Sequence, residues 1–210
     1  MRFLSMLLII FRVLMGPYLL LDARDGQISE WFLWTFAAGV ISDVLDGEIL
    51  RRFNLSSIKF VKLRSLDSTT DAVFYMSVLV SMWFVHPDII RLYIIPLTIL
   101  LLTQTMSWLF CLLKFGRTTS YHSYFAKFWG LSLFTGTIAF FITPPNVSLF
   151  LVAIFIGISS NIEDMIITAI MPYWKVDILS IKSAMLLKNK ASIVSVQEPL
   201  ERVLETVTVD

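Results

Sequence analysis

Apolar residues run along this chain in long blocks rather than in alternation. Six blocks near the length of about 20 residues that crosses roughly 30 Å of hydrocarbon cover residues 3–21, 29–48, 68–86, 89–113, 124–143 and 147–171. Only short polar stretches separate them, and a tail of mixed charge runs from Lys175 to Asp210. The pattern predicts an all-α membrane protein with six transmembrane helices. It places one transmembrane domain over 1–174 and a C-terminal tail over 175–210. The tail carries no span and fits an interfacial helix or disordered chain equally. Pro96 and Pro172 read as helix punctuation, since proline lacks an N–H and its ring clashes with the preceding turn.

The first block begins Met1-Arg2 and could pass for a secretory signal. Arg12 interrupts its apolar core, and the following LDARDGQ offers no small-x-small cleavage site, so it reads as a retained span.

Composition sharpens the membrane reading. The chain is 57% hydrophobic and 16% charged, against about 45–50% apolar and about 25% charged in a soluble domain. A lone cysteine, Cys111, excludes an intrachain disulfide or thiolate metal site.

The net charge is only +1, but its distribution is uneven. Arg51, Arg52, Lys59, Lys62 and Arg64 follow the second block, Lys114, Arg117 and Lys127 follow the fourth, and Lys175, Lys182, Lys188 and Lys190 open the tail. The first connection carries Asp22, Asp25 and Glu30 against Arg24, and the turn at Pro144 is uncharged. The excess of Lys and Arg on cytoplasmic loops therefore puts both termini in the cytoplasm. Trp31, Trp34, Trp83, Trp129 and Trp174 fall near block ends, as interfacial aromatic belts require. Anionic lipid attracts the same basic loops, so nothing here asks for nucleic acid.

Against this background the stretch SDVLDGEILRRFNLSSIKFVKLRSLDSTTD, residues 42–71, is anomalous. On a helix Asp43, Asp46, Gly47 and position 50 share a face, and Asp67 and Asp71 lie one turn apart. The two pairs sit at facing ends of the second and third blocks, so a short connection brings four carboxylates to one depth. Ionisable groups in a membrane are costly and face a cavity or a partner. Hard oxygen donors without His or Cys suit Mg2+ or Mn2+, and two such ions can clamp a phosphoryl centre. The plainer reading makes the acids helix caps or partners of the neighbouring cations, with Ser65–Asp71 as a helix start.

The pattern resembles the signature of the CDP-alcohol phosphatidyltransferase family, Asp-x-x-Asp-Gly-x-x-Ala-Arg followed by Gly-x-x-x-Asp-x-x-x-Asp. Asp43, Asp46, Gly47, Arg51, Asp67 and Asp71 match it in register. Leu50 stands for the alanine, Leu63 for the second glycine, and the spacer after Arg51 is longer than the commonest form. The leucine at position 50 narrows the space beside the acids. The resemblance implies transfer of a phosphatidyl group from CDP-diacylglycerol to a small hydroxyl acceptor, with release of CMP. It implies Asp43, Asp46, Asp67 and Asp71 as ligands of two divalent ions, Asp71 as general base, and Gly47 and Arg51 on the nucleotide. It also implies a homodimer; the chain is expected in a bacterial inner membrane, with the site on the cytoplasmic side to which the charge pattern assigns residues 42–71.

Three further features bear on the acceptor. FGRTTSYHSYFAK, residues 115–127, offers Arg117, His122 and Lys127 for an acceptor phosphate, which favours glycerol 3-phosphate; its plainer reading is topology charge with a helix cap. Arg12 either snorkels to the interface or turns inward to bind phosphate. The sixth block carries Asn161, Glu163 and Asp164; the adjacent acids point about 100° apart, so at most one faces the metal region, and the pair reads as lining the cavity, for example by pairing with a basic residue. His86, beside Pro87, reads as solvated and inert. Two other functions stay open, a catalytically silent relative and a divalent-cation carrier. The carrier predicts acids spread through the bilayer's depth, whereas these gather at one side.

Overall fold

The computed structural model describes residues 2–52, 58–119, 121–143 and 147–190, with side chains described from Met6 to Leu45 and from Thr69 onward within those ranges. The described chain is helical, without strands: α1 (Arg2–Asp22), α2 (Glu30–Arg52), α3 (Ile58–Val85), α4 (Pro87–Leu92), α5 (Ile94–Phe115), α6 (Tyr124–Ile142) and α7 (Ser148–Ile170). Residues 181–190 are also helical.

Among the described residues, α5, α6 and α7 are long and apolar enough to cross a membrane, and Thr69–Val85 of α3 is a shorter apolar stretch. The burial pattern suits lipid. Trp34 and Leu113 are 72% and 76% exposed, while Arg12, Ser42, Ser81, Ser107, Asn161 and Thr168 are buried. A water-soluble fold has the opposite preference.

Two predicted boundaries differ. The third helix begins at Ile58, about ten residues earlier than the apolar block, so Lys59, Lys62 and Arg64 lie on α3 rather than in a loop. Hydropathy marks where lipid begins, not where helix begins, and residues 58–67 hold good helix formers without Gly or Pro. The fourth block is broken at Tyr93 into α4 and α5. Pro96 supplies the reason. It cannot donate to the carbonyl of Leu92, four residues back, and its ring crowds that turn.

The chain forms two compact units. The first comprises Met1–Ile99 and Gly130–Phe155, and the second Leu100–Trp129 and Ile156–Asp210. In the first, α1 packs along both α2 and α3. Gly16 allows the α1–α3 approach, because a Cβ there would lie 3.1 Å from Ser77 Oγ and 3.5 Å from the Phe74 Cα. Gly39 on α2 leaves room for the Phe74 ring, which would meet a Cβ at 2.4 Å. Phe74 stacks on Phe36 at 6.2 Å between centroids, and Phe36 stacks on Phe134 at 5.7 Å. Phe32 meets Phe141 edge-on at 4.8 Å. With no hydrophobic drive between helices in lipid, such close packing supplies much of the association.

In the second unit, Ser123 starts α6 as its cap, its hydroxyl accepting the Ala126 N–H at 3.2 Å. A core of Cys111, Tyr121, Ile167, Met171, Ile178 and Ala184 joins α5, α7 and the helical stretch at 181–190.

Candidate active site

The first unit holds the acidic centre. Asp43 lies on α2 and Asp71 on α3, and both reach Arg12 of α1. Arg12 Nη1 lies 3.3 Å from Asp43 Oδ1 and also pairs with Asp71 Oδ1. The arginine side chain is fully buried, whereas those of Asp43 and Asp71 keep 32% and 27% of their surface. The cation is thus sealed inside while its two partners open outward. Arg12 Nε also donates to Ser42 Oγ at 3.5 Å, and Ser42 donates to the Gly39 carbonyl at 2.7 Å. Arg12 therefore turns inward instead of snorkelling.

Asp46, Gly47 and Arg51 lie on α2 and Asp67 on α3, but their side chains lie outside the described residues, as do those of Leu50 and Leu63. Among the described residues no group of three or more His, Cys, Asp or Glu stands together. The donor set that is described suits a hard divalent cation: two carboxylates from facing helices converge on one positive charge. Ser42 and Tyr75 are neighbours that sequence reasoning missed. Each lies within a turn of an acid on its own helix, Ser42 beside Asp43 and Tyr75 four residues beyond Asp71.

Arg117, His122 and Lys127 belong to the second unit. The Arg117 guanidinium lies 4.8 Å from the Trp174 ring centroid, and the Trp174 indole donates to the Thr118 carbonyl at 3.1 Å. Lys127 Nζ lies 5.6 Å from the Tyr124 ring. His122 takes a positive φ of 52°, the left-handed region that most side chains avoid.

This loop is anchored by Tyr121. Burial pushes its hydroxyl above the usual tyrosine range, so it stays protonated. Thr168 Oγ1 donates to the Asp164 carbonyl at 2.8 Å, leaving its lone pairs for Tyr121 Oη at 2.9 Å. The direction is therefore Cys111 thiol to Tyr121 at 3.6 Å, Tyr121 to Thr168, and Thr168 to the α7 backbone. Lys114, which the charge pattern treats only as a topology signal, donates to the Thr168 and Ala169 carbonyls at 2.8 and 3.0 Å. It satisfies the α7 C-terminus, where carbonyls lack helical partners.

The acids of the sixth block lie on α7, in the second unit. Glu163 Oε2 and Asp164 Oδ1 are buried without a hydrogen-bond partner among the described residues, and Lys114, a basic residue of this unit, is committed to backbone carbonyls. Asn161 donates to Thr103 at 3.2 Å. His86 is not simply solvated. Its ring meets Phe140 edge-on at 5.5 Å, and burial lowers its pKa from the ordinary 6.5.

A model of the CDP-alcohol phosphatidyltransferase family matches residues 2–179. The chain belongs to this family. No curated protein and no solved structure matches it. Membership makes the protein a transferase of phospholipid synthesis that moves a phosphatidyl group from a CDP-alcohol to an acceptor. With its apolar helices, it is an integral membrane protein. The matched span takes in both the acidic centre and the 115–127 stretch.

Proposed function

We propose that this phosphatidyltransferase uses CDP-diacylglycerol as donor and a small hydroxyl acceptor, glycerol 3-phosphate by preference, and releases CMP. The observation that carries the reading is the convergence of Asp43 and Asp71 from two helices on one point, within a chain of this family. Asp43 and Asp71, together with Asp46 and Asp67, would hold Mg2+ or Mn2+, as two ions. When bound, these supply charge neutralisation at the pyrophosphate.

The remaining steps belong to the chain's own side chains. Asp71 accepts the proton of the acceptor hydroxyl as it attacks the phosphorus, and the bond to CMP breaks. Gly47 and Arg51 seat the nucleotide. Arg117, His122 and Lys127 hold the acceptor phosphate, with Trp174 and Tyr124 beneath the two cations limiting their freedom. Glycerol 3-phosphate is preferred because a phosphate-bearing acceptor suits these charges.

The reading includes six spans, both termini in the cytoplasm, a homodimer, and a site on the cytoplasmic face of a bacterial inner membrane. Lysine and arginine placement supports that orientation.

The test supplies purified protein with CDP-diacylglycerol, magnesium and glycerol 3-phosphate, inositol phosphate or serine in turn, and identifies the lipid product by mass spectrometry. A phosphatidylated glycerol phosphate supports the proposal. A product formed only with another acceptor overturns the choice of acceptor. No product with any acceptor from a folded protein overturns the transferase reading of this site.

A further inference from the structure

We infer that Arg12 is a built-in counter-cation of the aspartate centre: it holds Asp43 and Asp71 together when no divalent ion is bound, and exchanges with that ion for the same carboxylate oxygens. The inference rests on the reading of these acids as cation ligands and deepens it.

The geometry makes the case. A single guanidinium nitrogen, Nη1, meets Oδ1 of both acids. Arg12 has no exposed surface, so water does little to stabilise its charge. Two carboxylates held this close repel each other, and a buried guanidinium without anions is unfavourable. Each sign of charge therefore makes the other tolerable. Ser42 holds the guanidinium in place through Nε and is itself fixed to the Gly39 carbonyl. The α1–α3 approach at Gly16, one turn beyond Arg12, brings the arginine within reach of α3.

The pairing also sets a competition. A divalent ion taken up by Asp43 and Asp71 would meet the positive charge of Arg12 already there, and the guanidinium would compete with it for the two acids. Arg12 is thus a positioning residue, acting on the reaction through the acids, and its removal shifts stability onto the metal. This differs from a phosphate-binding arginine, whose loss leaves the dependence of folding on metal unchanged.

The test follows thermal unfolding of the full chain in detergent, with chelator and across a magnesium titration, for wild type, Arg12→Gln, Arg12→Lys, Asp71→Asn and Arg12→Gln/Asp71→Asn. With chelator, Arg12→Gln is expected to melt on the order of 10 °C lower, the scale for a broken buried pair in a chain of this size. Magnesium restores more than half of that loss, with its midpoint shifted several-fold lower because a competing cation is gone. Arg12→Lys keeps the charge and recovers part of the loss without metal. The double variant is more stable than Arg12→Gln alone, since it lacks one of the uncompensated acids.

An equal loss with and without magnesium, unrelieved by Asp71→Asn, overturns the inference. Should Arg12→Gln not fold, Arg12→Lys and Asp71→Asn are compared in the same way: a magnesium midpoint for Arg12→Lys equal to that of wild type then overturns it. A wild type that responds to neither magnesium nor manganese overturns the metal reading and the exchange with it. That outcome is distinguished by relief of Arg12→Gln by Asp71→Asn, which persists.

Discussion

Arg12 Nη1 lies 3.3 Å from Asp43 Oδ1, tying the first helix to the second through a buried cation and a partly exposed acid. Asp71 of the third helix pairs with the same nitrogen. Three helices therefore meet at a single charge cluster, and the acids of that cluster face outward.

Substitution of Asp71 by Asn keeps the shape and removes the base. Turnover is expected to fall by roughly 10²- to 10⁴-fold, the range for loss of general acid–base catalysis, with a much smaller change in donor KM. Steady-state assays at saturating acceptor check this. A loss confined to KM would assign Asp71 to binding alone.

Tyr121→Phe removes the link from the 115–123 loop to Thr168 and leaves the Cys111 thiol without its acceptor. The expected loss is about 1–2 kcal/mol, read as a lower melting temperature. Because Arg117 and His122 sit on the same loop, KM for the acceptor should rise together with that loss. Thr168→Val tests the same bond from the other side.

Gly39→Ala pushes a Cβ to 2.4 Å from the Phe74 ring, which Phe36 already stacks against. Phe74 must leave the stack, at a cost of about 1–3 kcal/mol for an overpacked core. Gly39→Ala combined with Phe74→Leu should recover part of the stability, which thermal unfolding of the two variants measures.

Burial lowers the His86 pKa from 6.5, so the fold prefers the neutral ring. The stability that this group contributes is fully present above the unfolded-state pKa and is lost as pH falls through the lower, folded-state value. The melting temperature should therefore decline between about pH 7 and 5, and less steeply in His86→Gln. An identical decline in the variant would assign the effect elsewhere.

Much of this was legible in the sequence. Blocks of apolar residues marked the helices, since a span must satisfy its own backbone and cover itself with apolar side chains. The spacing of Asp43 and Asp71 marked the centre, and its match to the family motif agrees with the family found. What the pattern missed depends on contacts. Tyr93 breaks a block because of one proline ring four residues beyond Leu92, and α3 starts early because hydropathy says nothing of helix propensity. Arg12 stood out as a charge in an apolar block, but its partners are 31 and 59 residues away in sequence, the differences 43 − 12 and 71 − 12, and only packing joins them. Lys114 looked like a topology signal because its carbonyl partners at Thr168 and Ala169 carry no mark in the sequence.

The most direct test of the central claim is CMP release from CDP-diacylglycerol by wild type, Asp43→Asn and Asp71→Asn, with and without magnesium, each checked for helical content by circular dichroism. Release is expected to need both acceptor and magnesium, and to fall by at least about 10²-fold in either variant without loss of helix. Undiminished release in folded Asp43→Asn and Asp71→Asn, or release indifferent to chelation of magnesium, would contradict it.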